Sequence, residues 1–234
     1  MDPALQAQMK QTAALHALSL VEDGMTLGLG TGTTTAFFLQ YLGEALREGR
    51  LKSIRGVPTS EKTAKYAREL GIPLVSLDEV SYLDLAVDGA DEVDPNLNLI
   101  KGLGKALLRE KLVEVHARAF WVIVDESKLS HRLGTRVPLP VEILPFAAGA
   151  TVRWLNTLPH CQAELWLRED GTPWVTDNGH FLALCHFEEG IPNPETLSQA
   201  LLAWPGVMEH GLFLNMATGV IVATPTGVNI LKKT

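Results

Sequence analysis

The sequence predicts an α/β protein: a mostly parallel β-sheet covered by helices on both faces, carrying a smaller inserted α+β unit. Three observations lead there. Short, nearly continuous apolar runs alternate with helix-length segments through the first half of the chain, as strands buried on both faces do. After Pro138 the order becomes strand, helix, two strands, helix, strand, which resembles a small ferredoxin-like unit. Two last strand-like runs, residues 219–223 and 228–231, then return to the first sheet. The expected division is residues 1–132 with 207–234 as the parallel-sheet domain and 133–206 as the insertion.

Leu5, Met9, Ala13, Leu18 and Val21 recur at helical spacing and predict a first helix that stops at Gly24. Residues 26–30, TLGLG, read as a buried strand entering the loop Gly30-Thr31-Gly32-Thr33-Thr34-Thr35, and a helix resumes at Ala36. A strand at 53–57, a helix at 60–70 closed by Gly71, and a strand at 72–75 follow. Residues 83–87 form the next strand, a helix carries Glu110, and 119–124 form another strand. From about Pro138 on, strands are expected at 137–144, 162–168 and 181–186, with a closing strand at 207–213. Helices are expected at 147–158 and 194–204, with Glu169-Asp170-Gly171 as the turn between the two middle strands. The insertion carries no chemical motif of its own and reads as an oligomerisation or lid element.

With 234 residues, 46% of them hydrophobic, the chain can bury a sizeable core. A net charge of −7 leaves no basic stripe for nucleic-acid phosphates, so no nucleic-acid partner is expected. No apolar run approaches the ~18 residues of a membrane span, and the start lacks the basic and apolar regions of a secretory signal. A cytoplasmic protein without a membrane partner is the expectation. Cys161 and Cys185 lack CxxC spacing and read as reduced core residues. The seven histidines form no ligand-spaced cluster, so neither a protein-built metal site nor a cofactor is expected.

Ligands of parallel sheets gather beyond the carboxyl ends of the strands. Residues 31–34, Asp88, Asp91 and residues 125–128 all fall at such ends. A glycine-threonine loop before a helix can direct N–H groups and hydroxyls at an anion such as phosphate. Thr33 occupies the third-glycine position of a dinucleotide fingerprint, Val57-Pro58-Thr59 stands where that motif needs an acid, and no lysine completes a Walker loop. A small phosphate cup remains, or else a tight turn capped by threonine.

GLGTGTTT, DGADE, KGLGKALLREK and DESK, in this order and at these separations, resemble ribose-5-phosphate isomerase type A. Lys10, PLPVEILP, VTDNG, PGVMEHGLF and TPTGV extend the likeness over nearly the whole chain. The resemblance implies metal-free interconversion of D-ribose 5-phosphate and D-ribulose 5-phosphate by a homodimer or tetramer. It also implies a Rossmann-like domain with an inserted α+β domain. Carried over, it makes Thr31, Gly32, Thr33 and Thr34, helped by Lys10, the phosphate loop. Asp88, Gly89, Ala90 and Asp91, with Lys101, Gly102, Leu103 and Gly104, would line the sugar, Glu110 would be the base and Lys128 a further substrate-binding lysine. Two letters depart from the family's usual KGGGAA turn: Leu103, which adopts positive φ less freely than glycine, and Lys105, expected to point into solvent.

Aldose-ketose isomerisation moves a proton between adjacent carbons, and one carboxylate can serve both through a cis-enediolate. Ala106, Leu107 and Val113 lie within one helical turn of Glu110 and would desolvate it, strengthening its hold on a proton. Lys101 would stabilise the enediolate oxygens, and Asp88 or Asp91 would move the ring-opening proton. The plain alternative is that these aspartates cap backbone turns, the role expected of Asp94 before Pro95. Two other functions compete: a sugar-phosphate-binding regulatory domain resembling DeoR-type regulators, and an acyl-CoA transferase with a glutamate nucleophile. No DNA-binding module and no CoA-sized binding segment is legible in these residues.

Overall fold

A computed structural model describes residues 2–233. The architecture is α/β, with a six-stranded, mostly parallel sheet and a separate four-stranded antiparallel sheet. Two compact units divide the chain. The first gathers the chain up to Ala90, Arg109–Lys128 and the chain from Met216 on; the second holds Asp91–Leu108 and Leu129–Asn215. Residues 91–108, 129–132 and 207–215, grouped along the sequence with the parallel sheet, thus lie in the second unit. The reason is a third, three-stranded sheet, in which Leu99–Ile100 pairs with both Glu92–Val93 and Leu212–Phe213.

In the first unit the strand order is Gly227–Lys232, Gly219–Thr224, Phe120–Asp125, Leu85–Asp88, Thr26–Leu29, Arg55–Pro58. All neighbours run parallel except the terminal hairpin. Leu27, Leu29, Val87 and Ile123 are wholly buried in one cluster with Met9, Ala13 and Ala17 of helix Pro3–Leu18 and Phe38 and Leu42 of helix Thr33–Arg47. Each large aliphatic side chain buried in this way contributes about 1.5–3 kcal/mol. Helix starts follow their caps: Asp2 accepts from Ala4 N at 3.1 Å, with Pro3 in the first turn, and Ser60 accepts from Thr63 N at 3.0 Å to begin helix Glu61–Glu69.

Two expectations fail here for local reasons. The run at 72–75 is not a strand: Leu74 alone bridges Gly56, and Pro73 supplies a carbonyl to Gly56 N but has no N–H to continue a ladder. The helix after the glycine loop begins at Thr33 rather than Ala36, with Gly32 as its N-cap.

In the second unit the antiparallel order is Val207–His210, Leu139–Ile143, Phe181–Phe187, Cys161–Leu165, with helices Ala148–Leu155 and Pro194–Leu202 in the intervening connections. This is the expected ferredoxin-like alternation. Leu139, Val141, Ile143, Leu155 and Ala183 are wholly buried, and Cys161 and Cys185 are buried and free of a disulfide. The expected strand at 207–213 is two strands in different sheets, separated at Gly211. The turn at Glu169-Asp170-Gly171 does not join the two middle strands directly. It tips a small hairpin in which Leu167 bridges Pro173 and Trp174 N donates to Trp166 O at 2.9 Å. A second turn at 176–179 precedes strand Phe181–Phe187, anchored by buried Glu142, which accepts from Thr176, Asn178 and His180 at 2.9–3.0 Å.

No helix among the described residues is long and apolar enough to cross a membrane.

Candidate active site

The glycine-threonine loop leaves the carboxyl end of strand Thr26–Leu29, and its two glycines have different physical reasons. A Cβ on Gly30 would collide with the Asp88 carboxylate, so this glycine makes room for the aspartate. A Cβ on Gly32 would make only an ordinary contact, 3.7 Å to Thr35 Oγ1, but its φ of 151° is a backbone that side chains disfavour. Asp88, wholly buried at the end of its strand, accepts through Oδ1 from Thr31 N at 3.0 Å, Thr35 Oγ1 at 3.2 Å and Gly89 N at 2.7 Å. One carboxylate therefore shapes both the loop and the start of the DGAD turn, which includes Ala90.

Thr33 and Thr34 are the first residues of the helix, so first-turn N–H groups and hydroxyls share one helix end. Lys10 Nζ lies 3.0 Å from Thr33 Oγ1. Four residues earlier on the same helix, Gln6 reaches Asp125 Oδ2 at 3.4 Å. Asp125 Oδ1 accepts from Ser127 N at 3.0 Å and from the Ser127 hydroxyl, closing the 3₁₀ turn Glu126–Lys128 that carries Lys128. One face of the first helix thus braces two of the expected substrate segments.

Sequence reasoning missed a hydroxyl cluster behind this loop. Thr31 Oγ1 lies 2.8 Å from Thr59 Oγ1, 2.8 Å from Ser60 Oγ and 3.0 Å from Thr63 Oγ1. Thr59 and Thr63 in turn donate to the carbonyls of Leu29 and Gly30. The signal was present in PTSEKT, hydroxyl residues just past a strand of the parallel sheet.

Glu110 lies in the first turn of helix Leu107–Val115 and is 2% exposed, in keeping with buried Ala106, Leu107 and Val113 nearby in sequence. Its neighbour Arg109 turns outward to Glu61, 2.8 Å away, and this hydrogen bond and charge hold the Glu61 carboxyl below the usual range.

In the second unit Lys101 follows strand Leu99–Ile100 and is 2% exposed, its backbone N–H donating to Gly211 O at 2.9 Å and its ammonium 5.3 Å from the centre of the Phe213 ring. Asp91 N donates to Ile100 O, and Asp91 Oδ2 accepts from Leu103 N at 2.9 Å. The aspartate therefore fixes the Lys101–Gly104 turn. Positive φ in this turn falls at Gly102 (111°) and Lys105 (69°), and not at Leu103. The expected weak position is unstrained, and the strain sits two residues on. Lys105 also does not point simply into solvent: its ammonium lies 4.5 Å from the ring centre of Trp166 and 4.2 Å from that of Trp174. Asp94 caps its turn as expected, accepting from Asn96 N and Asn98 N at 2.8 Å. Among the described residues, no group of three or more His, Cys, Asp or Glu side chains is placed to hold a metal.

An α/β enzyme is the class that this parallel sheet and its strand-end side chains define. Comparison with known proteins makes it an isomerase. The family model of ribose 5-phosphate isomerase A (phosphoriboisomerase A) matches residues 55–227. A ribose-5-phosphate isomerase A of Roseiflexus sp. (strain RS-1) is 52% identical over 221 residues, 94% of this chain and 93% of that protein. One of Thermococcus kodakarensis is 48% identical, covering 97% of this chain and 98% of its own. Among solved structures, a D-ribose-5-phosphate isomerase in complex with phospho-erythronic acid matches with a TM-score of 0.93 at 46% identity, covering 96% of this chain and 98% of that one. The ribose 5-phosphate isomerase of Plasmodium falciparum matches at 0.94 and 36% identity, covering 97% and 99%. The chain belongs to the ribose 5-phosphate isomerase A family.

Proposed function

We propose that this protein interconverts D-ribose 5-phosphate and D-ribulose 5-phosphate through a cis-enediolate, with Glu110 as the base and no metal. The observation that carries the reading is the burial of Glu110, 2% exposed, in a chain of this family, since a desolvated carboxylate is a stronger base. Glu110 takes the proton from C2 of the open-chain aldose, and the electron pair becomes the C1–C2 double bond of the enediolate. The same carboxyl then returns the proton to C1 while the O2 hydroxyl proton passes to O1, leaving the carbonyl at C2 and a hydroxyl at C1. Lys101 supplies the positive charge for the enediolate oxygens, and Asp88 or Asp91 moves the proton that opens the ring.

The phosphate is held by Thr31, Gly32, Thr33 and Thr34 with Lys10. The Lys10 to Thr33 contact and the first-turn N–H groups support this. Gly89, Ala90, Gly102, Leu103, Gly104 and Lys128 complete the substrate contacts. The resemblance further supports a cytoplasmic homodimer or tetramer.

Mixing the protein with ribose 5-phosphate and following ketose formation, with and without EDTA, tests the proposal. Ketose should form at the same rate in both. Binding without turnover would favour a sugar-phosphate sensor, and loss of activity in EDTA would overturn the metal-free mechanism.

A further inference from the structure

The geometry points to Lys105 as a positioning residue that holds the Lys101–Gly104 turn through an aromatic cage on the neighbouring hairpin. Lys105 stands at φ 69°, a conformation disfavoured for any side chain with a Cβ, so something must hold it there. Its ammonium lies over both Trp166 and Trp174, and the Arg168 guanidinium lies 4.8 Å from the centre of the Trp174 ring. The two tryptophans are paired across the hairpin by the backbone hydrogen bond from Trp174 N to Trp166 O. The cage is therefore a built feature of the hairpin rather than a chance approach of a surface lysine.

The turn is held at three other places: Lys101 N to Gly211 O at its start, Leu103 N to Asp91 Oδ2 in its middle, and Lys105 N to Gly102 O at 2.9 Å. Lys105 directly follows the turn and ties it to the hairpin. Because Lys101 and Asp91 share this turn, the side-chain anchor at its end limits how far both can drift.

The kinetic part of this inference rests on the isomerase reading; the structural part does not. The test compares wild type, Lys105→Met, which keeps the stem and the backbone cost but loses the charge, and Lys105→Arg, which restores it. Hydrogen exchange at the backbone amides of residues 103 and 105, without substrate, should quicken about three- to tenfold in Lys105→Met and return in Lys105→Arg, given the usual worth of a cation over an aromatic face. Because the turn carries Lys101, whose charge acts in the transition state, kcat for ribose 5-phosphate should fall by a similar factor in Lys105→Met, with KM changed by less and rescue by arginine. Unchanged exchange, or faster exchange with wild-type kcat, would overturn the assignment. Wild-type protein without turnover would overturn the isomerase reading alone, leaving the exchange comparison to decide the role of Lys105.

Discussion

Lys101 is almost wholly buried, and a buried ammonium is retained at a cost in desolvation that only partners of opposite charge or a bound anion offset. An enediolate provides its charge late, in the transition state, so Lys101 should matter more to rate than to binding. Lys101→Ala is expected to lower kcat by about 10²–10³-fold while raising KM by much less. Steady-state kinetics read the split, and an effect on KM alone would make Lys101 a binding residue only. At this scale the letters of the site were readable but their backbone roles were not. Leu103 looked like the strained position because it replaces a glycine, yet the turn places its left-handed residue at Lys105. The cage could not be anticipated, since the two tryptophans come from a hairpin some sixty residues away in sequence.

The glycine loop shows what the elements add. Gly30 looked like part of a generic anion-binding turn, whereas the structure gives it one task, to let the Asp88 carboxylate reach Thr31 N. Gly30→Ala should therefore cost about 1–3 kcal/mol in stability, the usual range for overpacking. It should also raise KM for ribose 5-phosphate by moving Thr31; denaturant unfolding and kinetics check the two effects. An unperturbed Gly30→Ala protein would show that the loop accommodates the methyl group. Regular elements were read well where period or capping spoke clearly, as in the Ser60-capped helix. They were misread where one residue overrules an apolar run, as Pro73 does at 72–75, and where β-branched threonines hide the first turn of a helix. The strands Glu92–Val93 and Leu99–Ile100 are too short to show alternation.

On the scale of the molecule, the two larger sheet types were legible because the order of strands and helices along the chain constrains topology strongly. The grouping of residues 91–108 was not, because it depends on pairing with Leu212–Phe213, more than a hundred residues on. The two units carry different parts of the proposed chemistry: the phosphate loop, Asp88 and Glu110 in the first, Asp91 and the Lys101–Gly104 turn in the second. The proposal gives Glu110 a task that no other residue duplicates, the transfer of one proton between two carbons. The most direct measurement is the turnover of Glu110→Gln set beside its affinity for ribose 5-phosphate. kcat should fall by about 10²–10⁴-fold or more, with affinity changed by no more than a few-fold. Turnover close to that of the wild type would contradict Glu110 as the base.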